Sequence, residues 1–491
     1  METNLENQGD GVRTDGDSPD MPSDGRDSYP PDAPLDKGDF SKGSIPRAIL
    51  RLSVPMTLAQ LVNLLYSIVD RIYLGHMPGA EHLALTGVGL TIPIIHIISS
   101  VAALCGTGGG PLFAIARGRH EDSEAQRIMG NSFALLLIFG TVLTVTILVF
   151  QKPILYLFGA SDDTYRFAGE YLSIYILGTV FAMSGVGMNP FINAQGFGHI
   201  GMLTVAIGAA INIALDPIFI FAAGMGVRGA ALATVIAQFC SAMWVIRFLT
   251  GKKVRLQLKP RFMRLQAKRV KKILTLGLSG FLMHLTTSFS QIICNVTLQI
   301  YGGDLLVGAM AVINSIREVV MMPVSGIQNG IGPVIGYNYG AGEYDRVRRA
   351  IRFSLAATTA YALLMWAVIM LLPGTLISIF NTEPDLIEAG IPAMRIYFCM
   401  YAFLSLQFVA QFVFVGLGRS KNAIFFSFLR KVFIAVPLTV LLPLWGLGTD
   451  GVFIAEAVSQ IVGGLMCFTT MYLVVYRKLG VGDLATRNAN Q

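Results

Sequence analysis

Apolar windows of about twenty residues recur along almost the whole chain, and this feature constrains the fold more than any other. A helix of about that length crosses roughly 30 Å of hydrocarbon. Only 14% of the residues are charged, against roughly a quarter in soluble proteins. Unbroken apolar windows favour helices over the alternating strands of a membrane barrel. The sequence therefore predicts an all-α membrane protein with twelve transmembrane helices, at about 47–75, 83–116, 128–150, 164–194, 200–222, 229–249, 273–300, 305–335, 350–372, 387–415, 422–444 and 450–475.

Charge alternates between successive loops. The loop 251–272 holds ten Lys or Arg residues and no acid, and basic residues also mark 117–127, 343–352 and 418–421. The positive-inside rule places these loops in the cytoplasm. We therefore predict a multi-pass protein of the cell (inner) membrane with both termini cytoplasmic. Nucleic-acid binding by the basic loop would not explain the alternation, so no nucleic-acid partner is expected.

The two halves of the chain repeat each other. The segment GMGVRGAALATVIAQ (224–238) recurs as GLGTDGVFIAEAVSQ (446–460). This predicts two pseudo-symmetric six-helix bundles in the same orientation, 47–250 and 273–476, joined by the basic cytoplasmic linker 251–272. The composition of residues 1–46 predicts a disordered acidic cytoplasmic tail. Residues 477–491 are expected to form a second cytoplasmic tail. Parallel repeats of this kind favour a transporter with its substrate path between the halves.

Acids within the first half are rare, so each is a candidate functional residue. Asp70 lies near the end of the first predicted helix, Asn212 and Asp216 lie one turn apart on the fifth, and Thr234 lies on the sixth. Counted from the nearest outer loop, their depths agree at roughly 8–12 Å. Two carboxylates beside an amide and a hydroxyl predict a site for a proton or for Na⁺. No other metal and no cofactor is expected.

Two prolines predict bends in the helices that carry these acids. Pro55 lies near the start of the first helix, and Pro217 directly follows Asp216. Proline removes a backbone N–H donor and bends a helix interior. A bend that straightens would be a moving part of a transporter, and a static kink is the alternative for each.

Further polar side chains are candidates for lining a substrate cavity, with helix-to-helix hydrogen bonding as the alternative. For Glu318, the alternative to a place in the cavity wall is a structural ion pair with the adjacent Arg317. Arg430 and Lys431 are expected to extend to the cytoplasmic interface, and Glu456 to be a buried tie. The cavity candidates are Gln60, Asn63, Tyr66, Asn193, His284, Gln291, Asn295, Glu318 and Gln407.

Several blocks resemble the multidrug and toxic compound extrusion (MATE) family: LYSIVDRIYLG (65–75), AINIALDPIFIFAAGMGVRGAALATVIAQ (210–238) and MPVSGIQNGIGPVIGYNYGAGEYDRV (322–347). The resemblance covers about 47–476. It implies two six-helix lobes around a central cavity and drug efflux driven by a proton or sodium gradient. It also implies an ion site at Asp70, Asn212, Asp216 and Thr234, and a bend at Pro55. The chain lacks the acid that some members carry on the seventh helix, and Asn193 stands where the family often has a basic residue.

The expected function is therefore cation-coupled antiport of organic, cationic compounds by alternating access, in a monomer whose partners are small organic substrates and membrane lipids. A flippase for lipid-linked precursors is the alternative, although few basic residues lie within the spans to bind a pyrophosphate. An enzyme is disfavoured because no catalytic cluster marks the ends of the spans. A channel is the third alternative.

Overall fold

The computed structural model describes residues 39–75 and 86–480, apart from the side chains of Arg71 and His284. The described residues belong to one compact unit and contain helices but no β-strand. Most of the predicted acidic tail and the last eleven residues of the predicted C-terminal tail lie outside the described residues. The α-helices are α1 (Ile45–Gly75), α2 (Ile92–Gly118), α3 (Asp122–Val149), α4 (Gln151–Leu157), α5 (Asp162–Tyr175), α6 (Thr179–Ala194), α7 (Gly198–Pro217), α8 (Val227–Thr250), α9 (Ala267–Gly340), α10 (Tyr344–Leu371), α11 (Pro373–Ser378), α12 (Pro384–Phe398), α13 (Tyr401–Gly416), α14 (Ser420–Phe428), α15 (Val436–Leu442) and α16 (Gly448–Val474).

Membrane crossings in the described part agree with the twelve predicted helices. Nine helical stretches are long and apolar enough to cross, or ten if α12 and α13, which meet at 47°, form one crossing. Two stretches are too long for one crossing: α9 has 74 residues and 420–478 has 59. Each contains a glycine with positive φ, Gly303 at 63° and Gly446 at 95°, a conformation that other residues rarely adopt. The helix is interrupted at each of these glycines, and each stretch is long enough for two crossings.

The outer surface of the helices is apolar. Large side chains such as Leu65, Ile292 and Phe433 are more than half exposed along these spans. A surface of this kind is stable against lipid and not against water. This pattern is that of a multi-pass membrane protein.

Helix α1 connects the cores of the two lobes. Near its beginning, Ile49 and Leu52 belong to the same buried cluster as Val334 and Ile335 of the second lobe. Near its end, Leu74 belongs to the core of the first lobe. A change in the bend of α1 therefore changes how the two lobes meet.

Glycines bring the lobes into backbone contact where α2 and α9 approach the basic linker and the loop 341–343. A Cβ atom on Gly277 would overlap the carbonyl oxygen of Leu104, and one on Gly340 would overlap that of Ile115. Gly108 and Gly118 on α2 face α9 equally closely. We call these four glycines the glycine seam. From Gly108 to Gly118 it extends over roughly 15 Å, so the molecule is closed at this end.

The basic linker is bound to the first lobe. The Asn131 amide nitrogen donates to the backbone oxygens of Phe262 and Arg264, both at 3.1 Å, and its oxygen accepts from the Gln266 N–H at 3.1 Å. Arg269 pairs with Glu124 at 2.6 Å. The linker is therefore structured, and α9 begins at Ala267, earlier than the predicted 273.

The segment before α1 is tied to the second lobe. Arg346 Nη2 donates to the Phe40 carbonyl oxygen at 2.8 Å, and the Tyr337 hydroxyl donates to Asp39 Oδ1 at 3.1 Å. Partial burial acts to raise the pKa of Asp39, but hydrogen bonds from Ser41 and Tyr337 outweigh it and hold that pKa below its ordinary value. Residues 39–43 are therefore ordered, although they fall within the predicted disordered tail.

Candidate functional site

Two acids of the first lobe meet at the contact between α1 and α7. Asp70 lies in the last turns of α1, and Asp216 is the last residue but one of α7. Asp216 is fully buried, and its carboxyl group is close enough to that of Asp70 to hydrogen bond. Two ionised carboxylates at such a distance repel each other in a low-dielectric site. The arrangement is therefore suited to a proton or another cation shared between the two groups.

Asn212 and Thr234 complete the polar site as the sequence predicts. The Asn212 amide lies between Asp216, one turn later on α7, and Thr234 on α8. In the amide orientation that satisfies all partners, the nitrogen donates to Asp216 Oδ2 at 2.7 Å and the oxygen accepts from the Thr234 hydroxyl at 3.2 Å. This amide holds the Asp216 carboxylate in place.

Pro217 and Pro55 have different local structures. α7 ends at Pro217, and a π-helical turn, Ile218–Ala222, follows it. A π turn commonly marks a functional site in a helix. Here it breaks the regular hydrogen bonding directly after Asp216. α1 continues without a break through Pro55, so the bend there stays a prediction.

Tyrosines surround the acid pair. The hydroxyl groups of Tyr66 on α1 and Tyr171 on α5 both approach that of Thr234. The Tyr171 and Tyr175 rings stack with their centroids 5.7 Å apart, and Gln238 lies beside Tyr175. Tyr66 is a predicted cavity residue, whereas the sequence interpretation missed Tyr171, Tyr175 and Gln238. The four-residue steps 171–175 and 234–238 are the signal that could have identified them.

A cavity of about 970 Å³ lies beside the acid pair, within the usual range for sites that bind small organic ligands. Asp70 is the one Asp or Glu among the described residues that line it, and no Lys or Arg does. The second lobe contributes Gln328, Asn329 and Phe412. Among the predicted residues, the cavity wall includes Asn63, Tyr66, Asp70, Asn193, Asn212 and Thr234.

Asn193 has a structural as well as a cavity-lining position. Its amide nitrogen donates to Asn189 Oδ1 at 3.0 Å, and the Asn189 nitrogen donates to the Gly201 carbonyl oxygen at 3.0 Å. A side chain at position 201 would overlap both amide oxygens. The pair thus joins α6 to α7 while one face of Asn193 lines the cavity.

Gln60 does not line the cavity, although the sequence places it on the face of Asp70. Its side chain is half-buried and belongs to neither cavity described here. The ten-residue step from Gln60 to Asp70 rotates the position by roughly 80° at 3.6 residues per turn, whereas Asn63 stays aligned within roughly 20°.

Most of the second-lobe side chains that are predicted to line the substrate cavity do not line the large cavity. Asn295 and Glu318 are exposed and line neither cavity, and Gln407 is buried with its oxygen accepting from Arg430 Nη1 at 3.0 Å. Gln291 lines a small separate cavity. The His284 side chain lies outside the described residues. The polar side chains of this lobe are thus divided between the exposed surface, the small cavity and an internal charge cluster.

The expectation that Arg430 and Lys431 extend to the membrane interface is wrong. Both side chains are buried, and both pair with Glu456 at 3.0–3.1 Å. They follow the beginning of α14 at Ser420 by ten and eleven residues, or roughly 15 Å, which is too deep for either side chain to reach water. Glu456 is the buried tie that the sequence predicts.

The sequence profile of the MatE family matches residues 55–218 and 281–441. The chain belongs to the MatE family. Members of this family are transporters, not enzymes. This confirms the prediction that the chain is a transporter. The two matched segments fall in the two lobes, one in each.

MatE proteins of known name and structure resemble the chain over nearly its whole length. The multidrug export protein MepA of Staphylococcus haemolyticus (strain JCSC1435) is 23% identical over 435 residues, 89% of this chain and 94% of that protein. MepA of Staphylococcus aureus (strain MSSA476) is 21% identical with 89% and 95% covered. A MOP superfamily transporter from Pyrococcus furiosus has a TM-score of 0.83 at 24% identity, with 90% and 98% covered. A MATE crystal structure in the bent conformation has a TM-score of 0.84 at 24% identity, with the same coverage. These similarities confirm the two-lobe helical fold.

Proposed function

We propose that this MatE protein is a cation-coupled antiporter that exports organic cations by alternating access, with Asp70 and Asp216 as the coupling pair. The hydrogen-bonding approach of these two carboxyl groups, at the wall of a cavity for small organic ligands, is the observation that carries the proposal. Asn212 and Thr234 supply further oxygen ligands. The coupling ion is a proton or Na⁺, and no other cofactor is required.

The charge and the aromatic content of the cavity support a cationic substrate. Asp70 supplies negative charge, no Lys or Arg is found among the described side chains that line the cavity, and the rings of Tyr66, Tyr175 and Phe181 also face it. Cations bind favourably over aromatic rings, and more strongly where water is excluded. Multidrug export is also the activity named for the MepA relatives.

The coupling follows from the position of Asp70 in both the acid pair and the cavity wall. An organic cation that reaches Asp70 competes with the ion held between Asp70 and Asp216. Return of the ion neutralises the pair and weakens the attraction for the substrate. Because α1 joins both lobes, the two occupancies favour different lobe arrangements. Both termini are cytoplasmic in this proposal, the membrane is the cell inner membrane, and the protein acts as a monomer.

A flippase for lipid-linked precursors is not favoured. Its substrate carries a pyrophosphate, which requires basic side chains along the path. No Lys or Arg is among the described residues that line the large cavity.

Efflux from proteoliposomes tests the proposed function. Vesicles containing the protein are loaded with a fluorescent organic cation, and a proton gradient or a sodium gradient is imposed separately. We expect rapid efflux under one of the two gradients and only the rate of protein-free vesicles without a gradient. Efflux no faster than in protein-free vesicles under either gradient would contradict the proposal.

A further inference from the structure

The second lobe contains a buried charge cluster that the transport proposal does not use. Lys431 Nζ lies 3.0 and 3.1 Å from the two carboxylate oxygens of Glu456, and Arg430 Nη2 lies 3.1 Å from one of them. Arg317 on α9 faces the same cluster and meets the hydroxyl of Tyr397. Three cationic side chains therefore surround one carboxylate.

The acids near the cluster do not balance its cations. Besides Glu456, the one acid that acts on Arg317 among the described residues is its exposed neighbour Glu318. One positive charge remains without a matching acid. An unmatched charge is costly in a low-dielectric interior, so a counter-ion is expected nearby.

A small cavity lies directly beside the unmatched charge. It has a volume of about 20 Å³, and two cationic side chains, Arg317 and Lys431, line it together with the Glu456 carboxylate. A space of this size holds one particle of about the size of a water molecule. It is too small for phosphate, sulfate or an organic anion.

The small cavity is also lined by hydrogen-bond donors that have no partner among the described residues. Ser290, Gln291 and Asn314 contribute a hydroxyl and two amides, and none of the three is hydrogen bonded to another side chain or backbone group in the described part of the chain. Hydroxyl and amide N–H groups beside ammonium and guanidinium groups form charge-assisted hydrogen bonds to anions. The cavity therefore combines excess positive charge with free donors.

The internal repeat explains why the two lobes differ. At the offset that relates Gly224 to Gly446, Arg430 and Lys431 correspond to Gly208 and Ala209, which line the large cavity of the first lobe. At the same offset Glu456 corresponds to Thr234. Long cationic side chains thus fill the position where the first lobe has its ligand cavity, and the sign of the local charge is reversed.

We propose that this small cavity binds one monovalent anion of halide size, chloride in the cell, between Arg317, Lys431 and the side chains of Ser290, Gln291 and Asn314. The anion balances the cluster and joins α9 to the π-helical turn Leu429–Ala435 that carries Lys431. This site is separate from the coupling pair of the first lobe and does not rest on the proposed transport function.

Anomalous diffraction from crystals grown in bromide tests the site directly. We expect one bromide peak within hydrogen-bond distance of Ser290 and Lys431 in the full chain. We also expect Ser290→Ala to raise the halide dissociation constant roughly tenfold, since one hydrogen bond to a charged group is lost. Absence of a peak at this position in the wild-type crystals would overturn the proposal.

Thermal unfolding of the purified protein provides a second readout. Replacing gluconate by chloride should raise the unfolding midpoint of the wild type in a saturable way. Lys431→Met should abolish this shift because Arg430 still pairs with Glu456 and the excess charge is gone. Ser279→Ala is the control for Ser290→Ala, since Ser279 is buried on the same helix α9 as Ser290 and its hydroxyl donates to the Leu276 carbonyl oxygen. A wild-type midpoint that depends on pH but not on chloride would show that Lys431 loses its proton instead, and would overturn the proposal.

Discussion

We expect Asp216→Asn and Asp70→Asn each to reduce gradient-driven efflux to the rate of protein-free vesicles, a loss of at least about tenfold. Asparagine preserves the size of each side chain, and at position 216 it can still accept the hydrogen bond from Asn212, but it cannot take up and release a cation at the pair. Because Asp70 also supplies the carboxylate of the cavity wall, Asp70→Asn should in addition weaken binding of an organic cation, whereas Asp216→Asn should retain it. Efflux from proteoliposomes and equilibrium binding measure the two effects.

The control for these variants is Asp163→Asn, in the first turn of α5, whose side chain is exposed. It should retain wild-type efflux and binding. Unfolding midpoints of all three variants should stay close to that of the wild type, which separates loss of coupling from loss of fold. Wild-type efflux by both acid-pair variants would remove Asp70 and Asp216 from the mechanism.

Gly277→Ala has the second large expected effect. Its Cβ atom would overlap the Leu104 carbonyl oxygen, and a backbone group on a packed helix cannot move aside as a flexible side chain can. The glycine seam then cannot close, so the population shifts toward the form that is open at the basic end. We expect efflux to fall at least about tenfold, since alternating access requires both forms at comparable free energy.

Spin labels at positions 119 and 343, both exposed beside the seam, measure this shift. The distance distribution in Gly277→Ala should move to longer values than in the wild type. Gly169→Ala is the control, because Gly169 is buried in α5 and the nearest side-chain atom to an added Cβ lies 3.6 Å away. An unchanged distance together with wild-type efflux in Gly277→Ala would show that the seam does not open during transport.

The site in the first lobe could be predicted because its determinants are local. An acid within an apolar span is conspicuous, and counting residues from the loops gives its depth. For those two reasons, the sequence could predict that four residues would come together: Asp70, Asn212, Asp216 and Thr234. Tyr171 is not an acid, so the same count does not single it out; the packing of α5 against α8 brings its hydroxyl to Thr234.

The second lobe could not be predicted equally well, because its polar side chains act on one another across different helices. Arg430 and Lys431 are close in sequence to a basic loop. In the structure they are too deep to reach water and form ion pairs with Glu456 on another helix. The same cluster holds Gln407. Long-range charge pairing of this kind leaves no periodic signal in the sequence.

In the proposed mechanism the organic cation and the coupling ion compete for one pair of acids. The most direct measurement is titration of the purified protein with an organic cation in weakly buffered solution, with and without Na⁺. Competition predicts release of about one proton for each ligand bound, or a dissociation constant that rises with Na⁺ concentration, with the effect absent in Asp216→Asn. Binding that releases no proton and does not respond to Na⁺ would contradict it.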